Sequence, residues 1–324
     1  MDKIVAGFGQ CSMDFIGVAE GFPGEDQKWE TLPWETQGGG PAATAMVALS
    51  RFGVSTRFMG VVSDDPAGKL IREGFRAEGV DASFVIERPG GSSQQAFILA
   101  NRRSGTRTIF WARPSVAPIR PDEITDEITG RFLEGASMLL VDGLMTQSAA
   151  VAAMRAKGMK IPVMFDAGSI REEAREPTLE LAALCDYVVC SEVFSSALTG
   201  GRHGGRCGGR HEETLEKLIE MGAKAAAVTL GKGGSLNVSR DDRVIFHQPA
   251  FGVDAVDTTG AGDVFHAGYV YGLINGWTLK DTARFASAVA AMKCRVPGGR
   301  AGIPSVKEAV EFMGVDLLSS IMID

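Results

Sequence analysis

One seven-residue segment near the end of the chain combines small residues with acidic ones. Residues 257–263 read Asp-Thr-Thr-Gly-Ala-Gly-Asp, and the apolar run 264–269 follows directly. Successive backbone amides at a helix start, with the positive end of the helix dipole behind them, bind anions. We expect residues 260–262 to supply these amides and Asp263 to accept the proton of an attacking hydroxyl. These are the minimum requirements for phosphoryl transfer.

Two other glycine-rich segments have a composition suited to ligand binding. Residues 38–45 read GGGPAATA and open a predicted helix, so their amides can face a ligand. Residues 228–234 read VTLGKGG at the end of a predicted strand, where α/β proteins bind ligands. These residues would form one wall of a nucleotide-binding site. Structural explanations stay open for all three segments: a helix cap at Asp263, an ordinary helix entry and a hairpin turn.

Two common nucleotide-binding motifs do not occur in the sequence. There is no Gly-x-x-x-x-Gly-Lys-[Ser/Thr], which excludes a P-loop NTPase. Gly7 and Gly9 lack the third glycine of a dinucleotide fingerprint and open no helical pattern. A dinucleotide cofactor is therefore not expected.

The elements that must position these residues alternate between β-type runs and helix-length amphipathic runs. This alternation predicts a mostly parallel sheet covered by helices. Several predicted strands are apolar throughout, as is typical of strands buried on both faces. The predicted strands are 4–8, 56–61, 137–141, 162–166, 187–190 and 225–230, and the predicted helices are 42–52, 68–77, 148–156, 213–221, 261–274 and 280–293.

Two stretches interrupt this alternation. Residues 15–37 contain prolines and two tryptophans without helical periodicity, and residues 93–112 read as two strands joined at 103–105. An apolar β excursion of this kind needs to be covered, which predicts a lid over a ligand or a contact in a dimer. A third stretch, residues 199–211, is basic and glycine-rich, a composition typical of a flexible loop.

The overall composition excludes several classes of protein. The 324 residues include 33 Lys and Arg against 40 Asp and Glu, and the net charge of −7 gives nucleic acid no positive field to bind. No apolar run has the length of a signal-peptide core or a membrane span, so we expect a cytoplasmic location and no membrane partner. The five cysteines are scattered and odd in number, which predicts reduced thiols.

The order and spacing of the three glycine-rich segments resemble the ribokinase-like (PfkB) sugar kinases over nearly the whole chain. Residues 257–263 match the C-terminal signature of that family without change, and residues 38–53 match its N-terminal signature. The resemblance implies one doubly wound α/β domain over residues 1–324, with a mostly parallel sheet flanked by helices and a small β lid from about 12–37 and 93–113. It also implies that a sugar binds between lid and sheet and that ATP binds along the C-terminal edge of the sheet.

The same resemblance assigns roles to individual positions. Asp263 would be the catalytic base, with an anion hole formed by Gly260, Ala261 and Gly262. The sugar would be bound by Asp14, Lys28, Gly39, Gly40, Thr44 and Arg113. ATP would be bound by Thr229, Gly231, Gly233 and His266, with Mg²⁺ bridging its phosphates. A monovalent cation such as K⁺ would be bound near Asp257, Thr259 and Gly298.

Two departures from the family pattern concern the sugar and the metal. Ala43 stands where many members have Asn. The segment that usually contains Asn-x-x-Glu reads Ser-Glu-Val-Phe at 191–194, which leaves Glu192 as the candidate Mg²⁺ ligand.

Within the family, the pattern is most similar to the sulfofructose kinase branch, which recognises a sulfonate through a Lys, an Asn and an Arg. Lys28 matches the Lys, whereas residues 111–112, Trp-Ala, stand near the Asn position and Leu144 stands at the Arg position. Arg107 or Arg113 would be able to substitute from the lid.

These features predict an enzyme that transfers the γ-phosphoryl group of ATP to a hydroxyl of a ketose or related sugar, which can itself be anionic. Two alternatives remain open: a nucleoside kinase, and a non-catalytic sugar or nucleotide sensor, for which the altered segment 191–194 would be suited. The resemblance also suggests a homodimer formed through the lid.

Overall fold

The structure is a computed structural model that describes residues 3–168, 170, 174–200 and 210–314. The strands are β1 (Ile4–Phe8), β2 (Ser12–Ala19), β3 (Glu35–Gly39), β4 (Ser55–Met59), β5 (Val61–Ser63), β6 (Val80–Asp81), β7 (Ile86–Arg88), β8 (Gln95–Asn101), β9 (Thr106–Ala112), β10 (Ala136–Asp142), β11 (Val163–Ala167), β12 (Tyr187–Ser191), β13 (Ala225–Thr229), β14 (Ser235–Ser239) and β15 (Phe246–Gln248). The helices are α1 (Pro41–Arg51), α2 (Pro66–Ala77), α3 (Asp126–Leu133), α4 (Thr146–Gly158), α5 (Arg175–Leu184), α6 (Glu192–Leu198), α7 (His211–Glu220), α8 (Ala261–Ile274), α9 (Leu279–Lys293) and α10 (Val306–Met313).

Nine strands form the main sheet in the order β15-β14-β13-β12-β11-β10-β1-β4-β6. The strands from β13 to β6 in this order pair in parallel, and β14 and β15 are antiparallel additions at one edge. The prediction of a mostly parallel sheet flanked by helices is confirmed. The strand order reverses between β1 and β10, and the carboxyl ends of strands at such a point form a crevice in which α/β proteins bind ligands.

Apolar side chains cover both faces of the main sheet. Neighbouring residues of one strand belong to different cores: Val5 belongs to the core that includes residues of α1, α8 and α9, whereas Ala6 belongs to the core that includes residues of α3, α4 and α7. The same alternation holds in β10, where Leu140 joins the first core and Leu139 the second. Since side chains of a strand alternate between faces, two covered faces explain why these strands are apolar at every position.

Four strands form a second sheet in the order β3-β2-β8-β9, built from the two stretches that interrupt the alternation of the sequence. The strands β2 and β8 pair in parallel, and the two outer pairs are antiparallel. Strand β9 at the edge is exposed along its whole length. One face of the sheet carries the rings of Trp34, Phe97 and Phe110 in a row, with centroid separations of 4.7 and 6.2 Å. We call this row the aromatic face. A further pair of short strands, β5 and β7, is parallel.

The cysteines of the described residues are buried. Cys11, Cys185, Cys190 and Cys294 are free thiols, as the sequence predicts, and Cys207 and most of the segment 199–211 lie outside the described residues. Over the described ranges, no helix combines the length and the apolar character needed to cross a bilayer.

Candidate active site

A pocket lies between the second sheet and the carboxyl ends of the main-sheet strands, and we call it the inter-sheet pocket. Its walls combine side chains of β2, β8 and β9 with the start of α8. The lining residues are Gln10, Ser12, Asp14, Gly40, Pro41, Gln94, Ala96, Ile98, Arg107, Ile109, Trp111, Leu144, Thr259, Gly260, Gly262 and Asp263. The structure therefore brings together Asp14, Gly40, Gly260, Gly262 and Asp263, which the sequence assigns to one site.

A second pocket, the edge pocket, lies at the carboxyl end of β13 beside α8 and α9. Its lining residues include Thr229, Gly231, Lys232, Phe251, Ala261, Phe265 and Ser287. Gly233, predicted for the same site, does not line the pocket. Two residues, Arg107 and Gly262, line both pockets. The two pockets thus meet at the first turn of α8.

The loop before α8 has a backbone that requires glycine. Gly260 has φ 73°, and a Cβ atom there would lie 2.8 Å from both the Cα and the carbonyl oxygen of Gly299. Any larger residue would push the two loops apart. Helix α8 begins at the next residue, and the first amides of a helix have no acceptor within it. These amides form the edge between the two pockets and are available to an anion.

Asp263 lies in the first turn of α8 and is partly buried. Burial raises the pKa of this carboxyl to about 7, and the neighbouring Asp166 carboxyl adds to the effect, while His266 and Arg107 oppose it. A carboxylate with a pKa close to the working pH is well suited to take a proton from a hydroxyl.

Asp14 projects from β2 into the inter-sheet pocket and is almost fully buried. Its Oδ1 accepts a hydrogen bond of 2.7 Å from the Ser12 hydroxyl. Burial raises the pKa of Asp14, and the Ser12 hydrogen bond and the positive charge of Arg300 act in the opposite direction. Gly39 leaves room for this carboxylate, because a Cβ atom at that position would overlap with Asp14 Oδ2.

Arg300 is a buried guanidinium behind Asp14. It donates from Nη2 to the Gly39 carbonyl oxygen at 3.3 Å and stacks over the Phe75 ring at 5.6 Å. Its Nε lies 3.4 Å from Oγ1 of Thr44, which is buried and does not line the pocket for which the sequence predicts it. Arg300 therefore supports the wall that contains Asp14 from the far side.

Asp142, at the carboxyl end of β10, connects three segments that meet at the strand-order reversal. Its carboxylate accepts hydrogen bonds from the amides of Gln10 at 2.8 Å, Leu144 at 3.1 Å and Ala42 at 3.5 Å. Burial raises the pKa of Asp142 to about 6 in spite of these three donors. The carboxylate thereby fixes the loop after β1 against the start of α1.

Asp166, at the carboxyl end of β11, is also buried. Its Oδ1 lies 3.3 Å from Nε2 of His266, and its Oδ2 has no hydrogen-bond partner among the described residues. Burial and the nearby Asp142 raise the pKa of Asp166 well above its ordinary value. A buried carboxylate oxygen without a partner fits a hard divalent cation such as Mg²⁺, which binds through one or two carboxylates and retains water.

His266 packs behind Asp263 on the same helix. Its Nδ1 lies 2.6 Å from the Gly262 carbonyl oxygen and its Nε2 lies 3.1 Å from that of Val189. Both ring nitrogens thus face backbone, and the side chain does not line the edge pocket for which the sequence predicts it. Its position instead braces the first turn of α8 against β12.

The three residues predicted for a monovalent cation lie together and are already hydrogen-bonded to one another. Asp257 accepts hydrogen bonds from Thr259 N at 2.8 Å, Thr259 Oγ1 at 2.7 Å and Gly298 N at 2.7 Å, which occupy both carboxylate oxygens. The Asp257 carbonyl oxygen accepts a hydrogen bond of 2.8 Å from Nζ of the buried Lys293. The ammonium group thus already supplies a positive charge at this position.

Three other predicted residues lie away from both pockets. Lys28 is exposed in the segment between β2 and β3. The Arg113 guanidinium lies 5.5 Å from the Trp111 ring centroid and lines neither pocket. Glu192 is exposed at the start of α6, with Oε1 at 3.7 Å from Nε2 of His211.

The structure adds three buried charged residues to the site that sequence reasoning did not assign: Asp142, Asp166 and Arg300. The two aspartates each follow a strictly apolar run, LLV and VMF, at the end of a parallel strand. An acidic residue at that position is a usable signal, because carboxyl ends of parallel strands meet at the ligand site. No local pattern distinguishes Arg300 from a surface arginine.

The fold has a doubly wound sheet, and a candidate base and an anion-binding helix start lie between its two pockets. This combination defines a class of enzyme that transfers a phosphoryl group to a small hydroxylated acceptor. The sequence matches the pattern of the pfkB family carbohydrate kinases over residues 2–306. The chain therefore belongs to this family, and it is a sugar phosphotransferase.

Individual relatives agree with this assignment. The 5-dehydro-2-deoxygluconokinase of Clostridium perfringens is 28% identical over 288 residues, which cover 85% of this chain and 83% of the relative. Fructokinase-1 of Zea mays is 28% identical over 332 residues, 96% of this chain and 98% of the relative.

Solved structures show the same fold. A protein provisionally named ribokinase, from Agrobacterium tumefaciens, superimposes with a TM-score of 0.83 at 26% identity and covers 97% of this chain and 98% of its own. An E. coli protein provisionally named ribokinase II, in complex with ATP and Mg²⁺, has a TM-score of 0.80 at 20% identity and covers 97% of this chain and 99% of its own.

Proposed function

We propose that this protein transfers the γ-phosphoryl group of ATP to a hydroxyl of a ketose or related sugar. The observation that carries the proposal is that the first turn of α8, with Asp263 in it, forms the boundary between the inter-sheet pocket and the edge pocket. An acceptor in one pocket and a nucleotide in the other would meet at this boundary. Direct transfer requires this juxtaposition of the two substrates.

In this mechanism the sugar occupies the inter-sheet pocket and donates a hydroxyl hydrogen bond to Asp14. Asp263 takes the proton of the reacting hydroxyl as its oxygen bonds to the γ-phosphorus, and the bond from that phosphorus to the β,γ-bridging oxygen breaks. ADP leaves and the phosphoester carries the transferred group. The first amides of α8 stabilise the negative charge of the group in transfer.

Asp166 is the residue that would bind a divalent metal ion. A bound Mg²⁺ would supply positive charge against the phosphates. Asp166 would hold the ion directly or through water, because its Oδ2 is buried near Asp263 and has no hydrogen-bond partner in the part of the chain that the structure describes. Glu192, the ligand predicted from the sequence, is exposed and lines neither pocket. The proposed mechanism does not require K⁺, since Lys293 supplies the positive charge beside Asp257.

The lining of the inter-sheet pocket favours an uncharged sugar within the ketose class. Its polar side chains near Asp14 are Ser12, Gln10 and Gln94, and Gln10 donates to Gln94. Its apolar wall contains Ile109 and Trp111. Of the three residues predicted to meet an anionic substituent, Lys28 and Arg113 do not line the pocket, and Arg107 lines it only where it meets the edge pocket. ATP as co-substrate agrees with the cytoplasmic location predicted from the sequence.

A coupled assay of ADP release with a panel of ketoses, aldoses, sugar acids and nucleosides tests the proposal. We expect a ketose to stimulate ADP release, and Asp263→Asn to lower turnover by roughly 10²- to 10⁴-fold without loss of fold. Activity should persist when choline replaces K⁺ in the buffer.

Three outcomes of the assay contradict parts of the proposal. Greater turnover with a nucleoside would identify a nucleoside kinase. Ligand binding without ADP release for any acceptor would identify a sensor. Full activity of Asp263→Asn would remove the assignment of the base.

The aromatic face also leads us to propose a homodimer. Trp34 and Phe110 are 51% and 61% exposed, and β9 is an edge strand with unpaired backbone groups. A second copy of the same sheet would cover this apolar surface. Since β9 also lines the inter-sheet pocket, such a dimer would support the lid over the sugar.

A further inference from the structure

Lys293 is a buried cation at the end of α9. Its side chain has no exposed surface, and among the described residues it is the only buried lysine. Burial of an ammonium group is unfavourable unless a partner compensates for the lost water. The partner here is the carbonyl oxygen of Asp257, to which Nζ donates at 2.8 Å. Burial lowers the pKa of Lys293, and the negative charge of Asp257 opposes this shift.

The contact of Lys293 belongs to a set of hydrogen bonds that join the end of α9 to the segment before α8. The Cys294 carbonyl oxygen accepts hydrogen bonds from the amides of Val256 at 2.8 Å and Asp257 at 3.2 Å. The Asp257 carboxylate in turn accepts a hydrogen bond of 2.7 Å from the Gly298 amide. These bonds fix the backbone that leads into the first turn of α8.

The two segments that Lys293 joins line different pockets. The end of α9 lines the edge pocket with residues that include Cys294. The segment that follows Asp257 lines the inter-sheet pocket with Thr259 and Gly260. The contact between Lys293 and Asp257 therefore connects the wall of one pocket with the backbone of the other. The alignment of the proposed nucleotide and acceptor sites depends on this connection.

The ammonium group stands where the sequence predicts a monovalent cation, near Asp257, Thr259 and Gly298. Both carboxylate oxygens of Asp257 already accept hydrogen bonds from the other two residues. A lysine ammonium is a compact point charge, and it repels a second cation that approaches it in a buried position. Lys293 and a bound K⁺ would therefore compete for the same position.

We infer that Lys293 is a positioning residue whose ammonium group acts as a built-in monovalent cation and fixes the segment 257–260 for phosphoryl transfer. This inference rests on the proposed kinase activity. Lys293 lines neither pocket and changes no bond. It acts through the Asp257 carbonyl group on the turn that leads to the α8 amides. The enzyme then needs no monovalent cation from solution, because the cation is part of its own chain.

Steady-state kinetics of two variants in different salts test the inference. Lys293→Met keeps a long side chain without the charge, and it should lower kcat by roughly 10- to 10²-fold in every salt, because the α8 amides are displaced. The sugar KM should change by less than roughly threefold. Lys293→Ala leaves room for a small cation. Its kcat should be equally low in choline chloride and should recover, with saturation, when KCl or NH₄Cl replaces choline chloride.

Thermal melts without substrates give a readout that does not depend on activity. K⁺ should raise the Tm of Lys293→Ala by roughly 2–4 °C relative to choline, because an ion that binds the folded state stabilises it. The wild type and Lys293→Met should melt equally in both salts. Lys280→Met is the matched control, since Lys280 is exposed at the other end of α9, with Nζ 6.0 Å from the Phe246 ring centroid. It should retain the activity of the wild type in every salt.

Two results would overturn the inference while the proposed kinase activity stands. One is a wild type whose kcat or Tm rises with K⁺, which decides the question even where the variants do not fold. The other is a folded Lys293→Ala whose kcat and Tm respond to neither K⁺ nor NH₄⁺. If the wild type shows no acceptor-dependent ADP release, the proposed function fails and the inference fails with it.

Discussion

At the scale of single residues, the site contains carboxyl groups whose ionised form is destabilised by burial. Burial raises the pKa of Asp263 to about 7 and that of Asp142 to about 6. Asp142 has three amide donors that compensate for burial, whereas Asp263 faces the pockets. Of these two carboxyl groups, only Asp263 lines the inter-sheet pocket, which makes it the proposed base.

The raised pKa of Asp263 predicts the pH dependence of catalysis. Only the ionised carboxylate accepts a proton, so kcat/KM should fall about tenfold per pH unit below roughly pH 7 and level off above it. A pH profile of kcat/KM with a saturable ketose measures this. A profile without a break between pH 5 and 8 would contradict the assignment.

The raised pKa of Asp263 also predicts that the stability of the folded protein decreases as pH rises, whereas kcat/KM increases. Because the folded state favours the protonated carboxyl, its contribution to stability decreases as pH rises from the ordinary carboxyl pKa toward 7. Asp263→Asn should melt roughly 2–6 °C above the wild type at pH 8, and the difference should shrink by pH 5. Thermal melts at both pH values measure the two differences. A pH-independent gap would show that the gain has another cause.

At the scale of elements, small residues determine how closely segments approach each other. The β3 strand ends with two glycines, and Gly39 faces the Asp14 carboxylate while Gly38 faces the Arg300 guanidinium. The turn before α8 depends in the same way on the left-handed backbone of Gly260 and on its contact with Gly299.

Gly39→Ala should displace Asp14 and raise the sugar KM by roughly 10- to 100-fold, because a methyl group would overlap with Asp14 Oδ2. The ATP KM should stay close to that of the wild type. Gly74→Ala is the control, since Gly74 lies within α2 with open space around it and the change should stabilise the helix by about 0.5–1 kcal/mol. Unchanged sugar KM in Gly39→Ala would show that Asp14 does not bind the sugar.

The elements were largely predictable from the sequence, and the buried polar residues were not. Helix α8 has the predicted bounds 261–274, since its glycine-rich entry and apolar run are local signals. Arg300 owes its role to contacts with residues more than two hundred positions away, which local patterns do not contain. Lys28 was assigned by position along a family pattern, and the structure has it exposed in the segment between β2 and β3, outside the lining of the pocket.

At the scale of the whole molecule, the second sheet has two faces with different tasks. One face closes the inter-sheet pocket with Asp14, Ile98 and Trp111. The opposite face carries Trp34, Phe97 and Phe110 toward solvent. An exposed aromatic row of this kind is typical of an interface.

Phe110→Asp should convert a dimer into a monomer, because a charge at the most exposed ring of the aromatic face opposes its burial. Light scattering after size-exclusion chromatography measures the mass of each variant. Val244→Asp is the matched control, since both side chains are 61% exposed and Val244 lies between β14 and β15, away from the second sheet. A monomeric wild type, or equal masses of the wild type and Phe110→Asp, would contradict the proposed dimer.

The position of Arg300 has a consequence for the order in which the protein is made. This residue follows Thr44 and Gly39, which it supports, by 256 and 261 positions. The wall behind Asp14 is therefore incomplete until residue 300 has been synthesised. All the described strands precede Arg300 in the chain, so a nascent chain has its sheet strands before the wall behind Asp14 can form.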